Sequence, residues 1–340
     1  MHTFKIENEC FVPHPTVQDE LHIESHPNSY VATFEQYDFI FSDKDFVLVD
    51  RNVKELYNVN HDNLIAIDAV EENKSIETVL SICDKLLEFG FDKSNHLIVI
   101  GGGIIQDIGA FTAKTFKRGI TWTFVPTTLL SQCDSCIGGK TALNFKNYKN
   151  QLALFSAPST VIIDTSFLST LSENDIASGH GEIVKLFLMG GDYYIDRLND
   201  FNMKEKIFHS LAIKKTVIEK DEFESFYRKS LNYGHSFGHA IEAVTNYSIS
   251  HGIAVLLGME IINNLFNHNS TISSVISSFV SMDALKNIDP NALFEIVKTD
   301  KKVKDGYIDF IVVPEIGTTE FKQTRLSNTL KEKLYAIFPD

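Results

Sequence analysis

Three stretches of the chain combine residues that could do chemistry: Gly179-His180-Gly181-Glu182-Ile183-Val184-Lys185, Leu231-Asn232-Tyr233-Gly234-His235-Ser236-Phe237-Gly238-His239, and His251-Gly252. They offer one carboxylate and three imidazoles, with lysine, asparagine and glycine around them. Such oxygen and nitrogen donors suit a zinc-like divalent ion, and one carboxylate plus two histidines leaves a coordination position open for substrate. His235 and His239 are four apart and share one face of a helix, so spacing alone nominates both as ligands. Upstream, an apolar run ends in Gly101-Gly102-Gly103 and leads into a helical segment carrying Asp107. Strand, glycine turn and helix together make a phosphate cradle for a nucleotide. The triple glycine is not the G-x-G-x-x-G fingerprint, and such a turn can be purely structural. Asp50, at the end of an earlier strand, is placed where a carboxylate accepts a ribose hydroxyl. A metal site and a nucleotide site in one chain point to an enzyme.

Basic residues form the third element. Arg118, Lys140, Lys149, Lys185, Lys214 and Arg228 lie beside glycine, asparagine or apolar residues rather than in solvated charge runs. Lysines in a cleft favour phosphate and carboxylate, and arginine grips a carboxylate with two parallel bonds. The formal charge of -14 argues against nucleic acid as a partner, so anionic substrates must be held by a local basic cluster. Four cysteines are too few for a disulfide framework in 340 residues and fit a reducing, cytoplasmic setting. Cys133-x-x-Cys136 has no second pair to complete a metal site and reads as a tight turn of small residues. No secretory pattern opens the sequence, and no apolar run approaches a membrane span.

The elements that must position these residues can be placed from periodicity. Phe46–Val49 reads as a buried strand, and Leu64–Ile67, His96–Ile100 and Ile120–Val125 as further strands. From Ser75 the spacing predicts a helix with Ile76, Val79, Leu80, Cys83 and Leu87 on one face, stopped by Gly90. Ile104–Phe116 is a second helix. Strands alternating with helices predict a Rossmann-like, mostly parallel sheet covered on both faces, with ligands beyond the carboxyl ends of its strands. After about Asp164 long helical patterns take over at Ile207–Lys220, His235–Asn246 and Gly252–Phe266, with one late strand at Tyr307–Val313. The predicted architecture is an α/β domain at residues 1–167 followed by a mainly helical, metal- and substrate-binding domain at 168–340.

The order of motifs resembles one family. Glu71-x-x-Lys74, Gly101-Gly102-Gly103-x-x-x-Asp107, Arg118-Gly119 and Pro126-Thr127-Thr128-Leu129-Leu130 come first. Asp134-Ser135-x-x-Gly138-Gly139-Lys140-Thr141, Lys149-Asn150, Glu182-x-x-Lys185, Asp221-Glu222, Arg228-x-x-Leu231-Asn232-x-Gly234-His235-x-x-Gly238-His239 and His251-Gly252 follow. Together, from about Val47 to Gly317, they resemble 3-dehydroquinate synthase, a member of the sugar-phosphate cyclases. The resemblance implies NAD and a metal, zinc or cobalt, with Glu182, His235 and His251 as its ligands. His239 then matches a residue that reaches the substrate phosphate rather than the metal. Asp50, Asn52, Glu71, Lys74, Gly102, Gly103, Asp107, Thr127, Thr128, Lys140, Lys149 and Thr170 match positions of the NAD site. Lys140, Asn150, Lys185, Lys214, Arg228 and Asn232 match the substrate pocket, and Asp134 lies near both ligands. A homodimer is implied too, because a neighbouring subunit contributes an arginine at the place of Arg118. Lys301 or Lys302 resembles a late lysine that closes the pocket.

That resemblance implies a carbon–oxygen lyase acting on a phosphorylated sugar acid, through transient oxidation, phosphate loss, re-reduction and ring closure, with NAD recycled. Phe226 stands where the family has glycine before the arginine, Leu186-Phe187 replaces a tyrosine and glycine, and Ala153 replaces a glycine. Such changes resemble divergent cyclases of secondary-metabolite or surface-polysaccharide pathways, of inosose or valiolone type. A metal-dependent polyol dehydrogenase shares the fold but carries an aspartate ligand and fewer substrate lysines. A non-catalytic binding protein should have lost ligands or lysines, and none is missing.

Overall fold

The computed structural model describes residues 2–338 apart from Asn147 and Lys301. The chain divides into two compact units, one made of Gln18–Leu171 and the other of the segment up to Val17 together with the stretch from Ser172 onward. The sequence predicted a single change of domain at 167/168. The first seventeen residues are therefore corrected to the second unit, where β1 (Phe4–Ile6) and β2 (Glu9–Phe11) find their partners.

The α/β unit carries β3 (Glu20–Ile23), β4 (Tyr30–Phe34), β5 (Asp45–Asp50), α1 (Arg51–Leu56), β6 (Leu64–Ile67), α2 (Ile76–Glu88), β7 (His96–Gly101), α3 (Gly103–Thr115) and β8 (Trp122–Pro126). A hairpin of β9 (Lys140–Phe145) and β10 (Tyr148–Phe155) follows, and β11 (Thr160–Ile163) completes the unit. Seven strands form one sheet in the order β3-β4-β11-β8-β7-β5-β6, parallel throughout except for the antiparallel edge pair β3–β4. Its central strands are buried almost residue by residue, as continuous apolar runs such as Leu97-Ile98-Val99-Ile100 require. Ser75 caps α2 by accepting the Thr78 N–H. Val79 of the predicted face is buried, but the stripe of α2 continues through Ile82 and Leu86, and the predicted Leu80 and Leu87 are each 58% exposed. The two candidate stripes differ by one step around the helix, and the packing partner, not periodicity, decides between them. Cys133 and Cys136 are buried in and just after a tight π-helical turn, Ser131–Ser135.

Sheet order locates the ligand crevice. From β5 the chain goes outward to edge strand β6 and then returns past β5 to β7, so the order reverses between β5 and β7. Their register pairs Val49 with Ile100; one step on come Asp50 and Gly101, at the carboxyl ends where such sheets bind ligands.

The helical unit carries α4 (Glu173–Gly190), α5 (Asp192–Asp196), α6 (Met203–Lys220), α7 (His235–Val244), α8 (His251–Phe266), α9 (Ser270–Ser277), α10 (Pro290–Lys298), β12 (Tyr307–Glu315), β13 (Thr318–Arg325) and α11 (Asn328–Tyr335). Strands β12, β13, β1 and β2 form a four-stranded sheet, with β1 parallel to β13 through Lys5↔Thr318 and Ile6↔Thr319. Helix α8 is apolar on nearly every side and accordingly buried, packed against both α4 and α7. No helix among the described residues is long and apolar enough to cross a membrane.

Candidate functional site

In the helical unit, backbone contact brings the proposed donors together. Helices α4 and α8 touch at Gly181 and Gly252: a Cβ on Gly181 would run into the Gly252 backbone, and one on Gly252 into the Ser178 carbonyl. The Gly252 N–H also donates to Ser178 Oγ at 3.1 Å. Glu182 on α4 thereby meets His251, the first residue of α8. Gly234, with φ of 78°, starts α7 against the Val255 carbonyl and Met259, which sets His235 beside the same point.

The carboxylate of Glu182 is 1% exposed, and neither oxygen accepts a properly aligned hydrogen bond. It is ringed by nitrogen: His235 Nε2 lies 3.5 Å and His251 Nε2 3.4 Å from Oε1, and the Lys185 ammonium meets Oε2. Burial opposes charge on Glu182, but Lys185 and then His251 hold its carboxyl below the ordinary range. Burial, reinforced by Lys185, presses His235 far toward its neutral form, the form that binds metals. A buried carboxylate short of hydrogen bonds and faced by two imidazole nitrogens is what a divalent-cation slot offers; the one-oxygen, two-nitrogen set fits a zinc-like ion. The donor atoms of Glu182, His235 and His251 all lie within 4.8 Å of one another. A second set, His239, Glu242 and His251, meets the same limit; its Glu242 was not singled out in the sequence, although His235, His239 and Glu242 recur at helical spacing.

Buried cations accompany this cluster. Lys185, Lys214 and Arg228 are 2%, 6% and 2% exposed. Arg228 is set by the loop before it. Asp221 accepts Ser225 N–H and Oγ at Oδ1 (2.8 and 2.7 Å), and Phe226 N–H and Arg228 N–H at Oδ2 (2.7 and 3.0 Å). The Arg228 guanidinium donates to the Glu222 carbonyl, and Asn232 Nδ2 donates to Glu224 Oε1 at 3.1 Å. Phe226 is 46% exposed and packs on Phe321, with ring centroids 4.9 Å apart. Lys302 donates its N–H to Asp300, and Lys301 lies outside the described residues.

Within the α/β unit the predicted nucleotide residues gather at the strand ends. Helix α3 starts at Gly103 with no side-chain cap, so its first N–H groups are left for a ligand, and a Cβ on Gly103 would meet only open space. That geometry fits a phosphate group. Gly102 lies against the Thr128 side chain, and Thr127 N–H donates to the Gly101 carbonyl. Asp50 Oδ1 caps α1 through the Asn52 N–H at 3.0 Å, a structural role beside the ribose role the sequence suggested. The buried Lys74 ammonium lies 2.6 Å from Asp107 Oδ2 and 2.7 Å from Asn150 Oδ1. Burial nonetheless raises the Asp107 pKa. Asn144, missed in the sequence, joins Glu71 Oε1 (2.8 Å) to the Asn150 N–H (3.0 Å), while Lys149 is 3.6 Å from Glu71. Asn150, assigned to substrate by the resemblance, is thus tied to the Lys74 network. Lys140 and Asp134 also belong to this unit; Thr170 donates to the Phe167 carbonyl and meets Tyr57 Oη at 3.3 Å. Arg118 is exposed, in left-handed backbone with φ of 68°.

Residues 64–178 match the family model of the 3-dehydroquinate synthase N-terminal region, and residues 179–303 that of its C-terminal region. A 3-dehydroquinate synthase of Streptococcus pyogenes serotype M49 is 34% identical over 284 residues, 78% of this chain and 80% of that protein. In fold, the chain is similar to a 2-deoxy-scyllo-inosose synthase solved with carbaglucose-6-phosphate, NAD+ and Co2+ (TM-score 0.80, 21% identity, 93% of this chain and 99% of that one). It is also similar to a 2-epi-5-epi-valiolone synthase from Streptomyces hygroscopicus subsp. jinggangensis solved with NAD+ and Zn2+ (TM-score 0.77, 22% identity, 92% and 98%).

Proposed function

The chain belongs to the 3-dehydroquinate synthase family, and on that premise we propose that it is an NAD- and metal-dependent cyclase converting 3-deoxy-D-arabino-heptulosonate 7-phosphate to 3-dehydroquinate and phosphate. The observation that carries this reading is the Glu182–His235–His251 cluster with three buried cations, Lys185, Lys214 and Arg228, in the same unit. When bound, NAD supplies reversible hydride acceptance, and a zinc-like ion supplies Lewis acidity at an alcohol or ketone oxygen.

The residues of the chain account for binding and charge. In a protein of net charge -14, three buried cations in one unit make a local basic cluster suited to an anionic substrate. Arg228 presents a planar guanidinium suited to a carboxylate, and Lys214 and Lys185 present point charges suited to phosphate and to oxygen bearing developing charge. The uncapped start of α3 binds the cofactor's phosphates, and Asp50 takes a ribose hydroxyl. Exposed Arg118 is available to a second subunit, and a homodimer is the proposed assembly. The test is phosphate release by purified protein given NAD and zinc or cobalt. Release from the heptulosonate phosphate is expected; release only from a neutral sugar phosphate such as glucose 6-phosphate would make the chain an inosose-type cyclase instead.

A further inference from the structure

The geometry points to Glu242 as the positioning residue that fixes the ring orientation and tautomer of His251. Glu242 Oε2 lies 3.2 Å from His251 Nδ1, while His251 Nε2 faces Glu182 Oε1 at 3.4 Å. An imidazole that donates Nδ1–H to a carboxylate carries its lone pair on Nε2, the nitrogen turned toward Glu182. The other proposed ligand histidine is arranged alike: His235 Nδ1 is 3.1 Å from the Tyr233 carbonyl, with Nε2 facing Glu182. One ring is thus steered by backbone and the other by a side chain. Glu242 sits on α7, seven positions after His235 on the same helical face, and its carboxylate is only 13% exposed. Metal-binding histidines held from behind in this way keep both orientation and basicity.

Direct ligation by Glu242, with His239 and His251, is the competing arrangement, since those donors also lie close together. It would have to use His251 through Nδ1 and leave the fully buried Glu182 carboxylate, faced by the Nε2 atoms of both His235 and His251, outside the metal site. That geometry favours Glu182 as ligand and Glu242 as the support of His251.

The inference rests on the proposed metal site, and the experiment separates the two. Zinc affinity is measured by chelator competition for wild type, Glu182→Gln, Glu242→Ala and Glu242→Gln, with thermal melting of each metal-free protein. Wild type should bind one ion and Glu182→Gln should lose it. Glu242→Ala should bind about 10–100-fold more weakly, and Glu242→Gln should fall between, since its amide oxygen still accepts Nδ1–H but carries no charge. If Glu242→Ala does not fold, the isosteric Gln variant decides alone. Affinities of both variants within about twofold of wild type would overturn the inference. So would an ion kept by Glu182→Gln and lost by Glu242→Ala. A wild type that binds no zinc would overturn the metal site itself, and the inference with it.

Discussion

Asp221 holds Arg228 by the backbone: its Oδ2 accepts the Arg228 N–H at 3.0 Å while its Oδ1 ties down Ser225, so one carboxylate closes the loop that delivers the guanidinium. Burial works against the charge, but hydrogen bonds from the N–H groups of Arg228 and Phe226 and from Ser225 outweigh it and bring the pKa down to about 2.

Asp221→Asn should therefore destabilise the protein by about 2 kcal/mol at neutral pH, the linkage value of such a depression. A depressed carboxylate stabilises above its unfolded pKa, near 3.8, and loses that contribution as pH falls toward 2. The gap between wild type and variant in urea denaturation should be full at pH 7 and shrink below pH 4. A gap that is constant across that range would mean that the loop is held by something other than this charge.

Arg228→Lys should lower kcat/KM for the heptulosonate phosphate by about 1.5–3 kcal/mol, the scale of a charge-assisted hydrogen bond. The planar guanidinium matches a carboxylate with two parallel charge-assisted hydrogen bonds, an arrangement an ammonium cannot reproduce. An analogue without the carboxylate should lose much less. Equal losses on both substrates would remove Arg228 from carboxylate recognition.

His251→Ala should reduce bound zinc from about one per chain to a trace and abolish turnover, with the far-ultraviolet circular dichroism unchanged. Elemental analysis showing full occupancy in this variant would move the ion elsewhere.

NAD should be recycled during turnover. Phosphate release should proceed for many cycles with no stoichiometric rise at the NADH absorbance band; a one-to-one rise would mark a dehydrogenase.

Much of this was legible in the sequence because the signal was local. Leu97–Ile100 is buried on both faces and reads as an unbroken apolar run, and Ser75 announces α2 by its own capping chemistry. Glu182, His235 and His251 stood out as metal-competent groups among glycines. What escaped depended on distant partners. Strand β10 is largely exposed and shows no alternation, so nothing in Tyr148–Phe155 marks a strand. Asn144 reaches Glu71, seventy-three positions away, and only the fold brings the two together. Glu242 looks like any carboxylate on a solvated helix face until His251 arrives from the next helix. The three-residue strand β1 carries no hint that its partner is β13, which is why its domain was misplaced.

The pairing of β1 with β13 also dictates an order of assembly. Phe321 donates its N–H to Glu7 across 314 positions of chain, at 2.6 Å, so that seam can close only after β13 has been synthesised. Between them, Gln18–Leu171 is one uninterrupted stretch whose strand pairings are all internal, and it can complete its sheet while the ribosome is still making the helices. The unit that holds Glu182, His235 and His251 begins first and finishes last. Strand β1 can find its parallel edge only after the helices between it and β13 have been made.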